Sequence, residues 1–432
     1  MDKIRILLIT PENMEIRNFR KRQTNNFIQI TMPYLAAFID ETKYAITLVD
    51  EYKDEIPYGD EFELIAITAN TPNARHCYDI SQTFRKKGCK VVLGGPHVTL
   101  LPEEALRHCD FLIVGEAEKT WPLFLDDFYH KKAERIYRTD EPVELCHLPI
   151  PRRDLIKNRL FTKGAVFATR GCPYHCSYCN IKQIYDDKFK TRPVDEAIAD
   201  IKTIKNKHFV FWDDNFFADK SYAVALMTKL IPLKKKWAAQ VTLESCYDDE
   251  ILRLAKQSGC VYFFIGLESF SGEALSSVNK SINQIHQYSD LIRKVHKAGI
   301  CVQAGIIFGF DTDTPAVFQE TLAACNQIGL DGATVSILTP LPKTPLYDKM
   351  KRENRLLTED WTYYNGKTRV AFLPIHMTPK ELFEGYMWFR KNFYSVRSIM
   401  KRMVVSKTNL LYNIIINIGY KLSLSGTKGI KE

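Results

Sequence analysis

The sequence predicts an α/β protein in three parts. These are a doubly wound, flavodoxin-like parallel sheet over residues 1–130, a partial (β/α)6 TIM barrel over 165–340, and a helical C-terminal extension over 341–432. Three observations carry that prediction. Short apolar runs alternate with segments of helical periodicity, the mark of parallel strands joined by helical crossovers. The alternation breaks once, at 131–164, a polar stretch with Pro142, Pro149 and Pro151 that reads as a linker. It ends after Thr339, beyond which the chain is helical, basic and aromatic.

In the first part, strand-like runs fall at Ile4–Thr10, Ile46–Asp50, Leu64–Asn70, Lys90–Gly95 and Phe111–Glu116. Helical periodicity fits segments between them, such as Pro33–Asp40 and Ala74–Lys87. Ligands on a sheet of this kind sit beyond the carboxyl ends of the strands. After the linker, strands are expected at Ala165–Arg170, His208–Asp214, Ala238–Leu243, Val261–Ser269, Cys301–Phe310 and Ala333–Thr339. Helices such as Val194–Lys205, Asp248–Gln257 and Pro315–Ile328 lie between them. Six units are too few for a closed eight-unit barrel, so the barrel is open, with its active face at the strands' carboxyl ends. Near the end of the chain, Asn409, Asn413, Asn417 and Lys421 recur every four residues in an otherwise apolar helix. They form one narrow polar stripe.

Apolar residues make up 45% of the chain and charged residues 26%, ordinary values that exclude disorder and fibrous repeats. No apolar run reaches the roughly 20 residues that span a bilayer. Met1 to Thr10 run straight into a strand with no small-residue cleavage site, so a cytoplasmic protein is expected. The net charge of +9 is unevenly placed: Lys391–Glu432 holds eight basic side chains and one acidic one. A near-neutral body with a basic tail is not the footprint of a nucleic-acid-binding protein.

Eight of the eleven cysteines are scattered (Cys77, Cys89, Cys109, Cys146, Cys246, Cys260, Cys301, Cys325) and read as small core residues. The odd total, in a reducing compartment, argues against a disulfide framework. The other three lie together in Arg170-Gly171-Cys172-Pro173-Tyr174-His175-Cys176-Ser177-Tyr178-Cys179-Asn180, just after the first strand of the second part. Three thiolates at Cys-x3-Cys-x2-Cys spacing can hold three irons of a [4Fe–4S] cluster. No fourth cysteine has matching spacing nearby, so one iron stays open to a ligand. The alternative is zinc with His175 inside the loop, but a closed zinc site needs four ligands.

With aromatic Tyr178 before the last cysteine, Cys172, Cys176 and Cys179 resemble the signature of the radical S-adenosylmethionine superfamily. Trp212-Asp213-Asp214-Asn215-Phe216, Gly266-Leu267-Glu268-Ser269 and Gly305-Ile306-Ile307-Phe308-Gly309-Phe310 match that family at barrel-strand ends. The resemblance implies that the open iron chelates S-adenosylmethionine and that one electron cleaves its sulfonium. The resulting deoxyadenosyl radical then removes hydrogen from an unactivated carbon. It places Tyr178, Asp213, Asp214, Glu268, Ser269, Gly305 and Gly309 around the bound molecule. Each has a second reading. Glu268 would instead pair with a lysine, Asp213 and Asp214 would cap the next helix, and the two glycines would serve tight packing.

In the first part, Thr68-Ala69-Asn70-Thr71, Gly94-Gly95-Pro96-His97 and Gly115-Glu116-Ala117-Glu118 all follow strands. Alone, such glycines are ordinary turn residues. Ahead of the cysteine motif they resemble the cobalamin-binding domain joined to many radical S-adenosylmethionine enzymes, where small residues leave a channel for the corrinoid's nucleotide tail. Thr68, Thr71, Gly94, Gly95, Gly115 and Glu116 are then the expected contacts. The Asp-x-His-x-x-Gly motif that supplies a histidine to cobalt is replaced here by Pro11-Glu12-Asn13-Met14-Glu15.

Met377-Thr378-Pro379 through Arg390-Lys391-Asn392-Phe393-Tyr394-Ser395 resembles the C-terminal extension of the hopanoid C-2 methylase-like group. Pro340-Leu341-Pro342-Lys343-Thr344-Pro345 matches that group's segment after the sixth strand, with Lys343 where a glycine is usual. The resemblance implies a cobalamin-dependent methyl transfer to an unactivated carbon of a small molecule or lipid, fed by an external donor of flavodoxin or ferredoxin type. Two other readings stay open: a radical cyclase or oxidoreductase that transfers no methyl group, and a metal-stabilised binding module. The last helix either covers the barrel or lies on an anionic membrane, apolar face down, with Lys401, Arg402 and Lys407 at the headgroups.

Overall fold

The computed structural model describes residues 3–17, 29–139, 141–156 and 164–424. Its first sheet has six parallel strands: β1 (Ile4–Thr10), β2 (Tyr44–Asp50), β3 (Leu64–Thr68), β4 (Lys90–Gly94), β5 (Phe111–Val114) and β6 (Ile136–Arg138). Their order is β2-β1-β3-β4-β5-β6, which reverses direction between β1 and β3. Such a reversal opens a crevice at the carboxyl ends of the strands. The strands are apolar at consecutive positions because both faces are covered. Leu7, Ile9, Ile65 and Ile67 pack under the helix Ala74–Lys86 on one side. Ile6, Leu8, Leu64 and Ala66 meet Trp121 and Phe124 on the other.

β6 falls inside the stretch expected to be a linker. It pairs with β5 through Leu112, Ile113 and Val114, and its buried Tyr137 packs edge-on against Phe124 at 5.4 Å. Three residues with a single inward side chain carry too little pattern to be seen as a strand.

The second sheet is the open barrel. It contains β7 (Gly164–Val166), then β10 (His208–Phe211), β11 (Lys236–Val241), β12 (Cys260–Glu268), β13 (Cys301–Phe308) and β14 (Gly332–Ile337), after a short antiparallel pair β8 (Thr169–Arg170) and β9 (Lys190–Thr191). The six barrel strands are parallel in the order β14-β13-β12-β11-β10-β7. The expected strand Ala165–Arg170 is therefore split into β7 and β8. The Asp213 carboxylate takes the amides of Ala168 and Thr169, so the chain leaves the barrel sheet there before β8 pairs with β9.

Around β14 the extension adds the helices Pro345–Arg352, Pro379–Phe393, Val396–Ser406 and Leu410–Leu424. Lys343 adopts a left-handed conformation (φ +63°), so the loop keeps a glycine-like turn with lysine in it. The last helix docks by the middle of its polar stripe. Asn413 and Asn417 are buried against the protein, Lys421 at the end of the stripe is exposed, and most of the apolar side faces out. The reason is Asp331, fully buried before β14: its carboxylate accepts from Asn413 (2.5 Å), Ser406 (2.5 Å) and the Val302 amide (2.7 Å), and pairs with His296 (2.8 Å). Asn417 donates to its carbonyl at 2.8 Å. Arg402 is not at the surface. It is 1% exposed, donates to the carbonyls of Leu330 and Phe393 and to Asn417, and stacks on Phe393. No helix among the described residues is long and apolar enough to cross a membrane.

Candidate active site between the two sheets

The cysteine loop leaves β8 through Gly171, whose φ of +85° and contact with the Lys188 carbonyl oxygen leave no room for a Cβ. The loop is pinned at several points. The Gly171 amide donates to Asp214 Oδ2 at 3.0 Å, the Ser177 amide to the Val278 carbonyl at 3.0 Å, and the Tyr174 hydroxyl to Glu244 at 2.6 Å. Cys172, Cys176 and Cys179 are free and half-buried, whereas all the scattered cysteines but Cys146 are buried. Burial, with the neighbouring thiols adding to it, raises the Cys172 thiol and lifts that of Cys179 to about 11. Thiolates that repel one another are stabilised together by a cationic centre.

His175 turns toward Asp187 (3.5 Å), which does not favour the zinc reading. Among the described residues no three His, Cys, Asp or Glu side chains are gathered closely enough to grip a single ion. An iron–sulfur cube takes its three thiolates on three different irons, so this donor set fits the cluster.

At the rim of the loop, Tyr178 lies beside Glu268, the last residue of β12. Glu268 has a left-handed backbone (φ +64°) beside an irregularity in the β12–β13 pairing. That uncommon conformation for a non-glycine residue stores strain, as functional sites often do. Its half-buried carboxylate folds over Gly266 and Gly305 and lies 3.9 Å from Lys280. Burial raises the Glu268 carboxyl, and Lys280 and Tyr178 oppose the rise. The lysine partner foreseen as the alternative is therefore present, and it sits near Cys172 as well.

The two aspartates do different work. Asp213 is buried and ties the end of β10 to the Ala168 and Thr169 amides; burial pushes its carboxyl up to about 7. It closes the β7–β8 turn, so neither the ligand-facing nor the helix-capping expectation describes it. Asp214 holds Gly171 and faces the cavity between the sheets.

Ser269 and Gly309 have local structural roles. The Ser269 hydroxyl accepts from the Ser271 amide in the turn before the next helix. A Cβ at Gly309 would meet Leu382 (2.8 Å) and Phe372 (3.1 Å), so that glycine serves packing against the extension.

The cavity, about 430 Å3, opens at the carboxyl ends of β1, β3, β4 and β5. Thr68, Gly94, Gly95, Gly115 and Glu116 line it, with Tyr34 and Trp121 from the helices. Phe167, Arg170, Tyr185 and Trp212 close it from the barrel side. At Gly115 (φ +85°) an added Cβ would meet nothing within 4 Å, so a side chain there would enter open space. The small residues that a nucleotide tail requires therefore lie along the crevice, and the site fits a corrinoid.

Thr71 is not on the wall. Its hydroxyl lies 3.3 Å from His97 Nδ1, inside a buried network in which Glu104 accepts from Trp361 (3.0 Å) and Tyr78 (3.1 Å). Burial opposes the charge on Glu104, but His97 and Trp361 override it and hold its carboxyl near 2. This network ties the extension to the first sheet.

Glu116 is a wall residue already engaged. It pairs with Arg170 (3.0 Å) and with Lys190. Arg170 also pairs with Glu118 (2.6 Å), which receives the Tyr34 hydroxyl at 2.8 Å, and its guanidinium stacks on Phe167 at 4.6 Å. Sequence reasoning missed Arg170, Glu118, Tyr34 and Lys280. Arg170 and Glu118 stood inside quoted strings, but nothing local marks an ion pair across 52 residues.

The comparisons agree with this geometry. The B12 binding domain family matches residues 30–125 and the Radical SAM superfamily matches 166–325; a domain of unknown function matches 344–413. The chain is 29% identical to the bacteriochlorophyllide d C-12(1)-methyltransferase of Chlorobaculum tepidum, over 92% of this chain and 91% of that protein. It is 25% identical to the hopanoid C-2 methylase of Rhodopseudomonas palustris, over 90% and 80%. Its fold is similar to that of the cobalamin-dependent S-adenosylmethionine radical enzyme OxsB with aqua-cobalamin and S-adenosylmethionine bound, at a TM-score of 0.71 and 16% identity, covering 96% of this chain and 72% of that one. A three-cysteine loop at the mouth of an open parallel barrel defines a radical S-adenosylmethionine enzyme. Within that class, the chain belongs to the cobalamin-binding group, with the corrinoid domain ahead of the barrel.

Proposed function

We propose that the chain methylates an unactivated carbon of a small-molecule or lipid substrate. The observation that carries this is a shared wall. Arg170 and Asp214 line the corrinoid cavity, Asp214 holds the amide of Gly171, and Arg170 stands two residues before Cys172. When bound, the cluster supplies the electron that splits the sulfonium and the corrinoid supplies the methyl group.

The chain's own residues bind, orient and enclose. Cys172, Cys176 and Cys179 would hold the cluster. Glu268 with Lys280, and Tyr178 beside them, offer a charged pair and a hydroxyl at the rim for the polar groups of S-adenosylmethionine, with Gly305 beneath. Thr68, Gly94, Gly95 and Gly115 leave the channel for the nucleotide tail. Phe167, Tyr185 and Trp212 exclude water from the space between. No histidine reaches toward the cavity from Pro11–Glu15, so this reading gives cobalt no protein histidine.

The relatives named above, a bacteriochlorophyllide methyltransferase and a hopanoid methylase, favour a large, mostly apolar substrate. Peripheral contact of the last helix with a membrane is part of this reading. An external flavodoxin- or ferredoxin-type donor would deliver the electron.

Anaerobic reconstitution with iron, sulfide and hydroxocobalamin tests the proposal, followed by metal and corrin quantitation and product mass. A product heavier by one methylene supports it. Deoxyadenosine formed with no methyl gain would instead establish the radical cyclase or oxidoreductase reading.

A further inference from the structure

The exposed apolar side chains of this protein are concentrated in one place. Of the 21 large hydrophobic residues exposed among the described residues, ten lie between Val396 and Leu424. On the helix Val396–Ser406 they include Val396, Met400 and Val404, the last 69% exposed. On Leu410–Leu424 they include Leu410, Leu411, Ile415 and Ile418, with Leu411 67% exposed. A helix docked by its polar stripe presents its apolar side to whatever lies outside, the inverse of an ordinary covering helix.

Charge selects the occupant. From Val396 to Leu424 the chain has no acidic residue, while Arg397, Lys401, Lys407 and Lys421 are basic. Beside the apolar side lies a cleft of about 300 Å3 whose wall includes Arg293, Lys297, Lys407, Ser289 and Val405. Arg293 pairs with Asp290 (3.1 Å), and His296, also on the wall, pairs with the buried Asp331. Lys297 and Lys407 have no ion pair among the described residues. A cationic cleft at the border of an exposed apolar surface matches an anionic phospholipid: phosphate in the cleft, acyl chains against the helices.

We infer that the helices Val396–Ser406 and Leu410–Leu424, with the adjoining cleft of Arg293, Lys297 and Lys407, form a docking surface for an anionic phospholipid bilayer. This deepens the peripheral contact proposed for the last helix and rests on it. Tyr412 meets His208 at the start of β10, and Tyr420 receives Gln303 of β13. The surface therefore lies toward the amino ends of the barrel strands, opposite the cysteine loop. Docking holds the enzyme at the membrane while its catalytic mouth stays clear of the bilayer.

The test is flotation of the full-length reconstituted protein on vesicles of equal parts phosphatidylglycerol and phosphatidylcholine, against phosphatidylcholine alone. Binding is expected on the anionic vesicles and weak on the neutral ones. K297Q/K407Q should lower the anionic-vesicle affinity about thirtyfold, from two lost cationic contacts near the surface. V404E/L411E should abolish it, with the iron content, corrin content and melting temperature of the parent. Methyl transfer to a detergent-solubilised substrate, measured without vesicles, reports the proposed reaction separately. Equal binding to both vesicle types, no binding, or insensitivity to both variants overturns the inference. So does a dimer in sedimentation that V404E/L411E dissolves while vesicle binding is absent, because the occupant is then a second copy.

Discussion

Replacing Arg170 by Met tests the wall shared by the two sheets. The Arg170 side chain is 14% exposed, 3.0 Å from Glu116 and 2.6 Å from Glu118, whose side chain is 7% exposed. Glu116 keeps Lys190 after the substitution, but among side chains Glu118 keeps only the Tyr34 hydroxyl. Removing one partner of a buried pair strands the other charge, at a cost of about 3–5 kcal/mol. That is a large share of a typical domain's stability. The pH dependence changes sign as well. In the parent, burial opposes the charge on Glu118 but Arg170 overrides it and holds the carboxyl below its usual range. The pair's contribution is therefore present above the ordinary glutamate range and is lost as pH falls through the lowered value. Without Arg170, only the Tyr34 hydroxyl and a backbone amide oppose burial, which lifts the carboxyl. R170M is then most stable at low pH and weakens as pH rises. The assay is urea unfolding across pH, followed by circular dichroism and by release of bound corrinoid. R170M/E118Q, which leaves no stranded charge, should recover most of the loss. A loss below about 1 kcal/mol with an unchanged pH slope would refute the reasoning.

Cys176→Ala should lose iron, acid-labile sulfide and S-adenosylmethionine cleavage while keeping corrinoid, measured by metal analysis and by the visible spectrum. Gly115→Leu should do the reverse, because its side chain enters the open crevice; the left-handed backbone adds about 1–3 kcal/mol of strain. Asp213 is raised by burial to about 7, above its unfolded value. Its contribution is thus full at low pH and is lost as pH rises through that value, by a few kcal/mol in all. Asp213→Asn, whose amide oxygen can still accept from the Ala168 and Thr169 amides, should flatten that part of the urea-unfolding profile.

Much of the fold was legible because its signals are local. An apolar strand buried on both faces reads as such from its own residues, and β1 runs over the Ile4–Thr10 that the pattern indicates. β12 and β13 begin within a residue of expectation. Where the sequence misled, a distant group intervened: Asp213 divided a strand into β7 and β8, and Leu382 with Phe372 took the space beside Gly309. Lys280 and Arg170 were illegible for the same reason, since their partners lie on other elements.

The sequence by itself determined the cysteine loop and the strand-end strings, because three ligands within eight residues meet whenever that loop closes. It also determined that the last helix has a narrow polar stripe. Only the tertiary structure decided which side of that helix faces the protein. A buried Asp331 needs donors, and desolvating an unpaired carboxylate costs more than leaving leucine and isoleucine in water. Only the tertiary structure, too, joined the corrinoid crevice to the cysteine loop, because the Arg170–Glu118 contact exists only once two separately coded sheets are packed together.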